Sequence, residues 1–174
     1  MSKKIIRILF PLIAFCCIFF LSCKEDEECR QERYVRMYAG FYTISTNTST
    51  HVQSPVKLYI DTLSVKGVGI DSLLYKNAAR KDSVRLPLNK FFDVSEFVFV
   101  FKDTITKSIF ADTISVYYEN HEDYLSFECG CLSTFTIDNL RTKTTNHYID
   151  SIVINSKEVN TANVENIKIY HTPK

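Results

Sequence analysis

Residues 35–44 are VRMYAGFYTI, a stretch rich in aromatic and β-branched side chains that opens the folded part of the chain. Ten further short runs follow it, in which apolar and polar residues alternate with a period close to two. Turn residues separate them roughly every 8–12 positions. These runs are Val56–Ile60, Leu63–Lys66, Ser72–Tyr75, Ser83–Leu88, Glu96–Phe101, Ser108–Tyr118, Tyr124–Cys129, Leu132–Ile137, Ile149–Ile154 and Asn166–Tyr170. This pattern predicts an antiparallel β-sandwich of roughly 8–10 strands, with a closed β-barrel as the alternative.

The segments between these runs carry their own signals. Pro87 has no amide hydrogen for a ladder, so its run is expected at a sheet edge or a bulge. The polar cluster His121-Glu122-Asp123 is expected to form a hairpin turn. Two polar segments, Ser45–Ser54 and Arg141–His147, are predicted loops and the candidate contact surfaces, because rigid sheets carry function on loops.

The first 22 residues have the composition of a secretory signal peptide. Lys3, Lys4 and Arg7 precede an apolar run from Ile8 to Leu21, and a small residue, Ser22, follows. This run of about 14 residues is shorter than the roughly 20 that a membrane-spanning helix needs. We therefore predict a cleaved signal peptide over residues 1–22.

The residues around Cys23 point to a lipid anchor. Leu21-Ser22-Cys23 resembles the lipobox of bacterial lipoproteins, in which the cysteine is lipidated and becomes the mature N-terminus. A diacylglyceryl group on Cys23 would hold the protein to membrane lipid without a helix. The prediction is therefore a lipidated Cys23 with an acidic tether over residues 23–33, followed by a single domain over 34–174.

The charge run Lys24-Glu25-Asp26-Glu27-Glu28 follows the cysteine directly. It resembles the export signal found at this position in surface lipoproteins of the Bacteroidetes, and it is also suited to a solvated tether. Outer-membrane attachment facing outward is the predicted location, with the periplasmic face as the alternative.

Composition excludes several functional classes. Removal of the leader and its three basic residues leaves 18 basic and 20 acidic residues, a net charge of −2 with neutral histidine. A near-neutral chain offers no electrostatic basis for nucleic-acid binding. The four histidines lie apart, no Gly-rich phosphate loop or nucleophile elbow is present, and no cofactor is expected. The protein is therefore predicted not to be an enzyme.

One tripeptide recurs, with Asp, then Ser or Thr, then an aliphatic residue. Six of the ten aspartates begin such a tripeptide, at positions 61, 71, 82, 103, 112 and 150. The structural hypothesis is that each aspartate closes a turn, the hydroxyl starts the solvent face and the aliphatic residue starts the core face. The tripeptide also resembles the O-glycosylation acceptor of Bacteroidetes, which makes the following residues candidate acceptors: Thr62, Ser72, Ser83, Thr104, Thr113 and Ser151. Asn47-Thr48-Ser49 fits the N-glycosylation pattern by chance.

The cysteines allow a disulfide in an extracytoplasmic protein. Cys29 paired with Cys129 or with Cys131 would close a loop of about 100 residues, worth up to about 4.7 kcal/mol in the chain-entropy model. A bond between Cys129 and Cys131 would require a kink at Gly130. A metal site is not predicted, because three thiolates lack a fourth ligand at zinc-finger spacing.

The chain as a whole resembles a family of short, uncharacterised Bacteroidales lipoproteins. The resemblance rests on Cys29 soon after Cys23, on Leu86-Pro87-Leu88, on Cys129-Gly130 and on the Ile-rich strand Ile167–Ile169. It implies no known activity. The Cys-Gly pair of that family implies that Cys129, rather than Cys131, is the partner of Cys29.

Two main functional hypotheses follow, and the sequence does not separate them. The first is a non-catalytic binding or accessory module displayed on the outer membrane, with an envelope protein or a small ligand as its partner. The second is a structural envelope protein that assembles through an exposed edge strand. A small lipid-binding β-barrel is a third hypothesis, tied to the barrel fold.

Overall fold

The computed structural model describes residues 35–104, 106–127, 129–162 and 164–172. Within these residues the secondary structure consists of eleven strands, one more than the upper bound predicted. They are β1 (Arg36–Thr46), β2 (Gln53–Lys57), β3 (Ile60–Gly67), β4 (Leu73–Lys81), β5 (Ser83–Pro87), β6 (Val94–Lys102), β7 (Ile109–Ser126), β8 (Gly130–Thr144), β9 (Ser151–Ile154), β10 (Glu158–Val159) and β11 (Glu165–Tyr170).

The strands form two sheets. The first sheet has the order β2-β1-β11-β9, with β5 also paired to β1, and the second has the order β10-β8-β7-β6-β3-β4. Every pair is antiparallel except β1 with β11, which is parallel. In the described part of the chain the sheets do not close into a barrel, so the sandwich prediction is confirmed and the barrel alternative is wrong.

β1 organises the first sheet because it has three partners. Its first half pairs with β5, from Arg36 opposite Pro87, and its second half pairs with β2. The change of partner falls at Phe41, whose amide donates to Asp82 and whose carbonyl accepts from Leu58. Pro87 is thus the last residue of an edge strand, as its missing amide hydrogen predicts.

The core lies between the sheets and follows from the alternation. On β6, Phe97, Phe99 and Phe101 point inward and are at most 3% exposed. Phe41 from the first sheet packs edge-to-face on Phe99 and Phe101, with ring centroids 6.3 and 6.2 Å apart. Met37, Leu63, Ile114, Ile137, Ile167 and Ile169 fill the space around them.

The predicted turn at His121-Glu122-Asp123 is wrong, because these residues lie inside β7. They pair with Thr134, Ser133 and Leu132 of β8, and the turn comes later, with Phe127 and Cys129 as turn residues before Gly130 with φ +72°. Residues 119–125 are all exposed, since this part of the β7–β8 hairpin extends past β6, whose first residue, Val94, pairs with Tyr117. A strand in water needs no apolar face, so the polar segment 119–123 lacks the alternation that marks a strand.

The two ends of the sandwich differ. β1 begins where β5 ends and β6 starts, since Arg36 pairs with Pro87 and residues 88–93 lead directly into β6. We call this the N-terminal end, and it also carries residues 68–72 and the turn of the β7–β8 hairpin. The opposite end, called the distal end, carries the connections 47–52, 103–108 and 145–150. Both predicted contact loops reach the distal end, but their bounds differ. The first is shortened to 47–52, and the second is shifted to 145–150 because residues 141–144 belong to β8.

Candidate functional site

The predicted anchor residues are not part of the described structure. Residues 1–22, the lipidation site Cys23, the tether over 23–33 and the disulfide candidate Cys29 all lie outside the described residues. None of the described residues belongs to a helix long and apolar enough to cross a membrane.

The most tightly bonded polar group at the distal end is the carboxylate of Asp112 on β7, which is 1% exposed. Its Oδ1 accepts hydrogen bonds from Thr145 Oγ1 at 2.5 Å and from the His147 amide at 2.7 Å. Its Oδ2 accepts from the amides of Tyr148 at 2.6 Å and Ile149 at 2.8 Å. One carboxylate therefore fixes the whole connection between β8 and β9.

These bonds decide the protonation state of Asp112. Burial alone would raise the pKa of this carboxyl, but the hydrogen bonds from Thr145 and from the amides of residues 147–149 outweigh it and lower the pKa below the ordinary 3.8. The group is therefore ionised at neutral pH. The His147 ring lies against it, with Nδ1 3.0 Å from Oδ1, while 70% of that side chain stays exposed.

The Asp112 arrangement differs from the local turn that its tripeptide predicts. The carboxylate points to the core face together with Ile114 and Val116, and it bonds residues 33–37 positions later instead of its own turn. The sequence did contain a signal for this burial, because the alternation of the strand puts position 112 on the same face as buried aliphatic residues. An acid on a core face needs buried donors, but sequence spacing does not identify them.

The same loop is held from the other side by stacked rings. Tyr148 stacks on Phe101 with centroids 4.4 Å apart and on His171 at 3.6 Å, and Phe110 lies 5.3 Å away. His171 Nδ1 is also 2.6 Å from the Tyr148 carbonyl oxygen. Burial, with smaller contributions from Asp103 and Asp61, raises the pKa of the Tyr148 phenol. No sequence motif indicated this stack, because its members are far apart in the chain.

The six aspartates of the recurrent tripeptide are divided unequally between the ends. Those at positions 61, 82, 103, 112 and 150 lie at the distal end, and Asp71 alone lies at the N-terminal end. Leu63, Val84 and Ile114 are buried, as the structural hypothesis expects, but Leu73 is exposed. Leu73 begins the edge strand β4, which has no buried residue and has positive φ angles at Asn77 and Arg80.

The candidate glycosylation acceptors fall into two groups. Ser72, Thr104 and Ser151 are exposed. Thr62, Ser83 and Thr113 are half-buried within or beside strands. Thr104 Oγ1 donates to Asp61 Oδ2 at 3.1 Å, so two of the tripeptides meet at the distal end.

A second polar cluster lies on the outer face of the first sheet. Lys57 Nζ is 2.8 Å from Glu165 Oε2, and Tyr42 donates its hydroxyl to Glu165. Burial alone would lower the pKa of Lys57, but its bonds to Glu165 and Tyr42 raise it above the ordinary 10.5. The pair lies directly over Gly40, where an added Cβ would be 2.7 Å from the lysine nitrogen. Gly40 therefore leaves the space that the ion pair fills.

The described cysteines have different states. Cys131 is free and exposed, whereas Cys129 is half-buried and is not a free thiol. Gly130 does kink the chain, with φ +72°, as a disulfide between Cys129 and Cys131 would require. Cys131 nevertheless forms no disulfide bond. Over the described ranges, no group of three or more His, Cys, Asp or Glu side chains is arranged to hold a metal ion.

Comparison with known proteins places the chain in a family. The model of the Family of unknown function (DUF6452) matches residues 62–171. No curated protein and no solved structure matches the chain. The matched region leaves out β1 and β2, although β1 pairs with both β5 and β11, so the folded unit begins upstream of it. Because the match covers 110 of the 174 residues, the chain belongs to the Family of unknown function (DUF6452).

Proposed function

We propose that the protein is a lipoprotein of the outer membrane that presents the distal end of its sandwich as a non-catalytic binding module. The signal peptide over residues 1–22 and the lipobox at Cys23 support the anchor. Resemblance to Bacteroidales lipoproteins and the acidic run after Cys23 support display on the outer face, with the periplasmic face as the alternative.

The observation that carries the binding module is the loop held by Asp112. Residues 145–149 are fixed by four hydrogen bonds to one buried carboxylate and by the Tyr148 stack. A loop fixed before binding loses little conformational entropy when a partner arrives, which is the advantage of preorganisation. His147 is one of the exposed side chains on this rigid segment, and it contributes a ring that can donate or accept a hydrogen bond.

A disulfide between Cys29 and Cys129 is part of the proposal. Cys129 is not a free thiol, Cys131 is, and the family resemblance favours the cysteine that precedes a glycine. The bond would join the tether to the hairpin turn at the N-terminal end. The lipid anchor would then connect to the body of the domain through residues 24–28 alone.

O-glycosylation is proposed at the exposed acceptors Ser72, Thr104 and Ser151 in a host that has the modification system. An enzyme must reach the hydroxyl, and these three side chains are exposed in the folded protein. Mapping the glycopeptides of the protein from its own host tests this assignment. Hexose increments confined to Thr62, Ser83 and Thr113 contradict it.

The intact mass of the protein from its own host tests the anchor. We expect a chain that begins at Cys23, carries added diacylglyceryl and acyl mass, and gains two alkylatable thiols on reduction. Alkylation without reduction is the control and should label Cys131 alone. A chain that begins at Met1 with three or more free thiols contradicts the lipoprotein assignment.

Photo-crosslinking in intact host cells tests the binding module. Benzoylphenylalanine at Thr50 or at His147 probes the two distal loops, and Val153, exposed on β9, is the matched control position. We expect the loop positions to give one crosslinked adduct of constant mass, and the yield of this adduct should saturate with light dose. The same adduct from Val153, or no adduct from either loop, contradicts the proposal.

Assembly through an edge strand has less support. The edge strand β4 contains two residues with positive φ, Asn77 and Arg80, and the basic residues Lys76 and Lys81. Irregular, charged edges oppose strand addition. The lipid-binding barrel is not proposed, because the described sheets form a sandwich whose interior is filled with side chains.

A further inference from the structure

The N-terminal end carries a group of exposed apolar side chains on two neighbouring loops. Phe91 and Phe92, on the connection between β5 and β6, are 79% and 64% exposed. Val68 and Ile70, on the connection between β3 and β4, are about half exposed. Single exposed apolar residues are normal on a protein surface, but a contiguous group marks a contact surface.

Val68, Ile70 and Phe92 border a groove, and Phe91 directly precedes Phe92 on the same loop. A depression of about 600 Å³ lies between the two loops and is lined by apolar residues that include Ile70, Leu74, Leu88 and Phe92. A second depression of about 680 Å³ shares Leu74, Pro87 and Leu88 with the first and reaches Val35. The first described residue of the domain therefore lies at the margin of the apolar surface.

The hydrogen bonds of the loop that carries Phe91 and Phe92 keep both side chains exposed. The Asn89 amide donates to Ser95 Oγ at 3.0 Å and to the Tyr118 hydroxyl oxygen at 2.9 Å. The Phe91 amide donates back to Asn89 Oδ1 at 2.9 Å. Because Ser95 and Tyr118 are buried, this loop is anchored to the core and directs both phenylalanine rings outward.

The proposed anchor starts from the same end. With Cys29 joined to Cys129 at the hairpin turn, only residues 24–28 separate the lipidated Cys23 from a fixed point of the domain. Five residues span at most about 20 Å when fully extended, so this end is held close to the lipid. The distal end lies farther away by the length of β6, nine residues or about 30 Å.

We propose that the N-terminal end docks on the lipid bilayer, with Phe91 and Phe92 at the boundary between headgroups and hydrocarbon. This inference rests on the proposed lipid anchor for its orientation. Aromatic rings favour that boundary, and Lys90, whose amine lies 5.1 Å from the Phe91 ring centroid, can extend to the headgroups. Lys90, Arg36 and Arg85 at this end are offset by Asp71, Asp93 and Glu96, so we expect docking on zwitterionic lipid.

The chain contains no tryptophan, so a single introduced tryptophan reports its own surroundings. Phe92→Trp tests the docking loop, and Ile109→Trp at the distal end is the matched control because both side chains are 64% exposed. Each full-length lipidated variant is reconstituted into phosphatidylcholine vesicles with and without brominated acyl chains. We expect blue-shifted emission and at least about two-fold quenching for the Phe92→Trp variant and neither for the control.

Each result decides the docking proposal separately from the anchor. A lipidated protein in which both tryptophans respond equally, or in which the Phe92→Trp variant is unquenched, overturns docking and leaves the anchor intact. An intact mass without added lipid overturns the anchor. The unlipidated variants are then mixed with the same vesicles, and quenching of the Phe92→Trp variant again decides docking. Shielding of the Phe92→Trp variant in host envelopes but not in pure lipid overturns docking, because the occupant is then a protein.

Discussion

Asp112 shows how much of the distal end depends on one side chain. Its alternation with Ile114 and Val116 made a core-facing position predictable from the sequence. Its partners were not predictable, because a loop that begins 33 residues later reaches the carboxylate only through the path of β8. The tripeptide therefore indicated the strand but not the role of its first residue.

Asp112→Asn tests this role. The amide keeps the shape but replaces one acceptor oxygen by a donor that faces backbone amides, so we expect the free energy of unfolding to fall by about 2–4 kcal/mol. Urea denaturation measures it. Asp71→Asn, in the same tripeptide but exposed, is the control and should change stability by less than about 0.5 kcal/mol. If both variants lose the same free energy of unfolding, the loss comes from replacing any aspartate by asparagine and not from the bonds of Asp112.

The lowered pKa of Asp112 predicts a pH dependence. A carboxyl whose pKa is lower in the folded than in the unfolded state stabilises the fold above its unfolded pKa, and this contribution is lost as pH falls through the folded pKa. The stability difference between wild type and Asp112→Asn should therefore be constant above about pH 5 and shrink below about pH 4. A difference that grows on acidification would contradict the ionised state.

At the scale of elements, strands with one buried face could be predicted, whereas the exposed polar segment 119–123 of β7 could not. β6 alternates buried phenylalanines with outward residues, which makes its face assignment secure. The outer part of the β7–β8 hairpin has no such pattern, and a polar cluster within it was mistaken for a turn. The partners of β1 could not be predicted either, because a period of two specifies which face of a strand is buried but not which strands lie beside it.

Gly40→Ala tests the packing between β1, β2 and β11. The new methyl group needs the space of the Lys57–Glu165 pair, so we expect a loss of about 1 kcal/mol in the free energy of unfolding. In a Glu165→Ala background the carboxylate is gone and the Lys57 side chain has no partner there to hold it over Gly40, so the same substitution should cost less by a similar amount. Additive costs in this double-mutant cycle would show that the ion pair does not occupy the site.

At the scale of the whole molecule, composition and spacing were sufficient for the sandwich and for the first contact loop, whereas the second loop was placed four residues too early. They were insufficient for the arrangement that distinguishes the two ends, with apolar loops beside the start of the domain and most of the aspartate tripeptides opposite. That arrangement arises from the order of strands in two sheets, which local sequence does not encode.

The cysteines provide the test at this scale. Cys129→Ser should lower the free energy of unfolding by about 2–5 kcal/mol through loss of the proposed bond to Cys29. Cys131→Ser changes a free, exposed thiol by one atom and should stay within about 0.5 kcal/mol of wild type. Both are measured by urea denaturation without reductant. A larger loss for Cys131→Ser would reverse the assignment of the partner.

The parallel pairing of β1 with β11 has a consequence for how the protein is made. Tyr38 pairs with Glu165, a separation of 127 residues (165 − 38), so β1 waits for the last described strand to be made before this edge is covered. Until then β1 exposes an unpaired edge, the kind of surface that recruits other chains. Folding of this protein therefore depends on protection of its earliest described strand until the last strand is available.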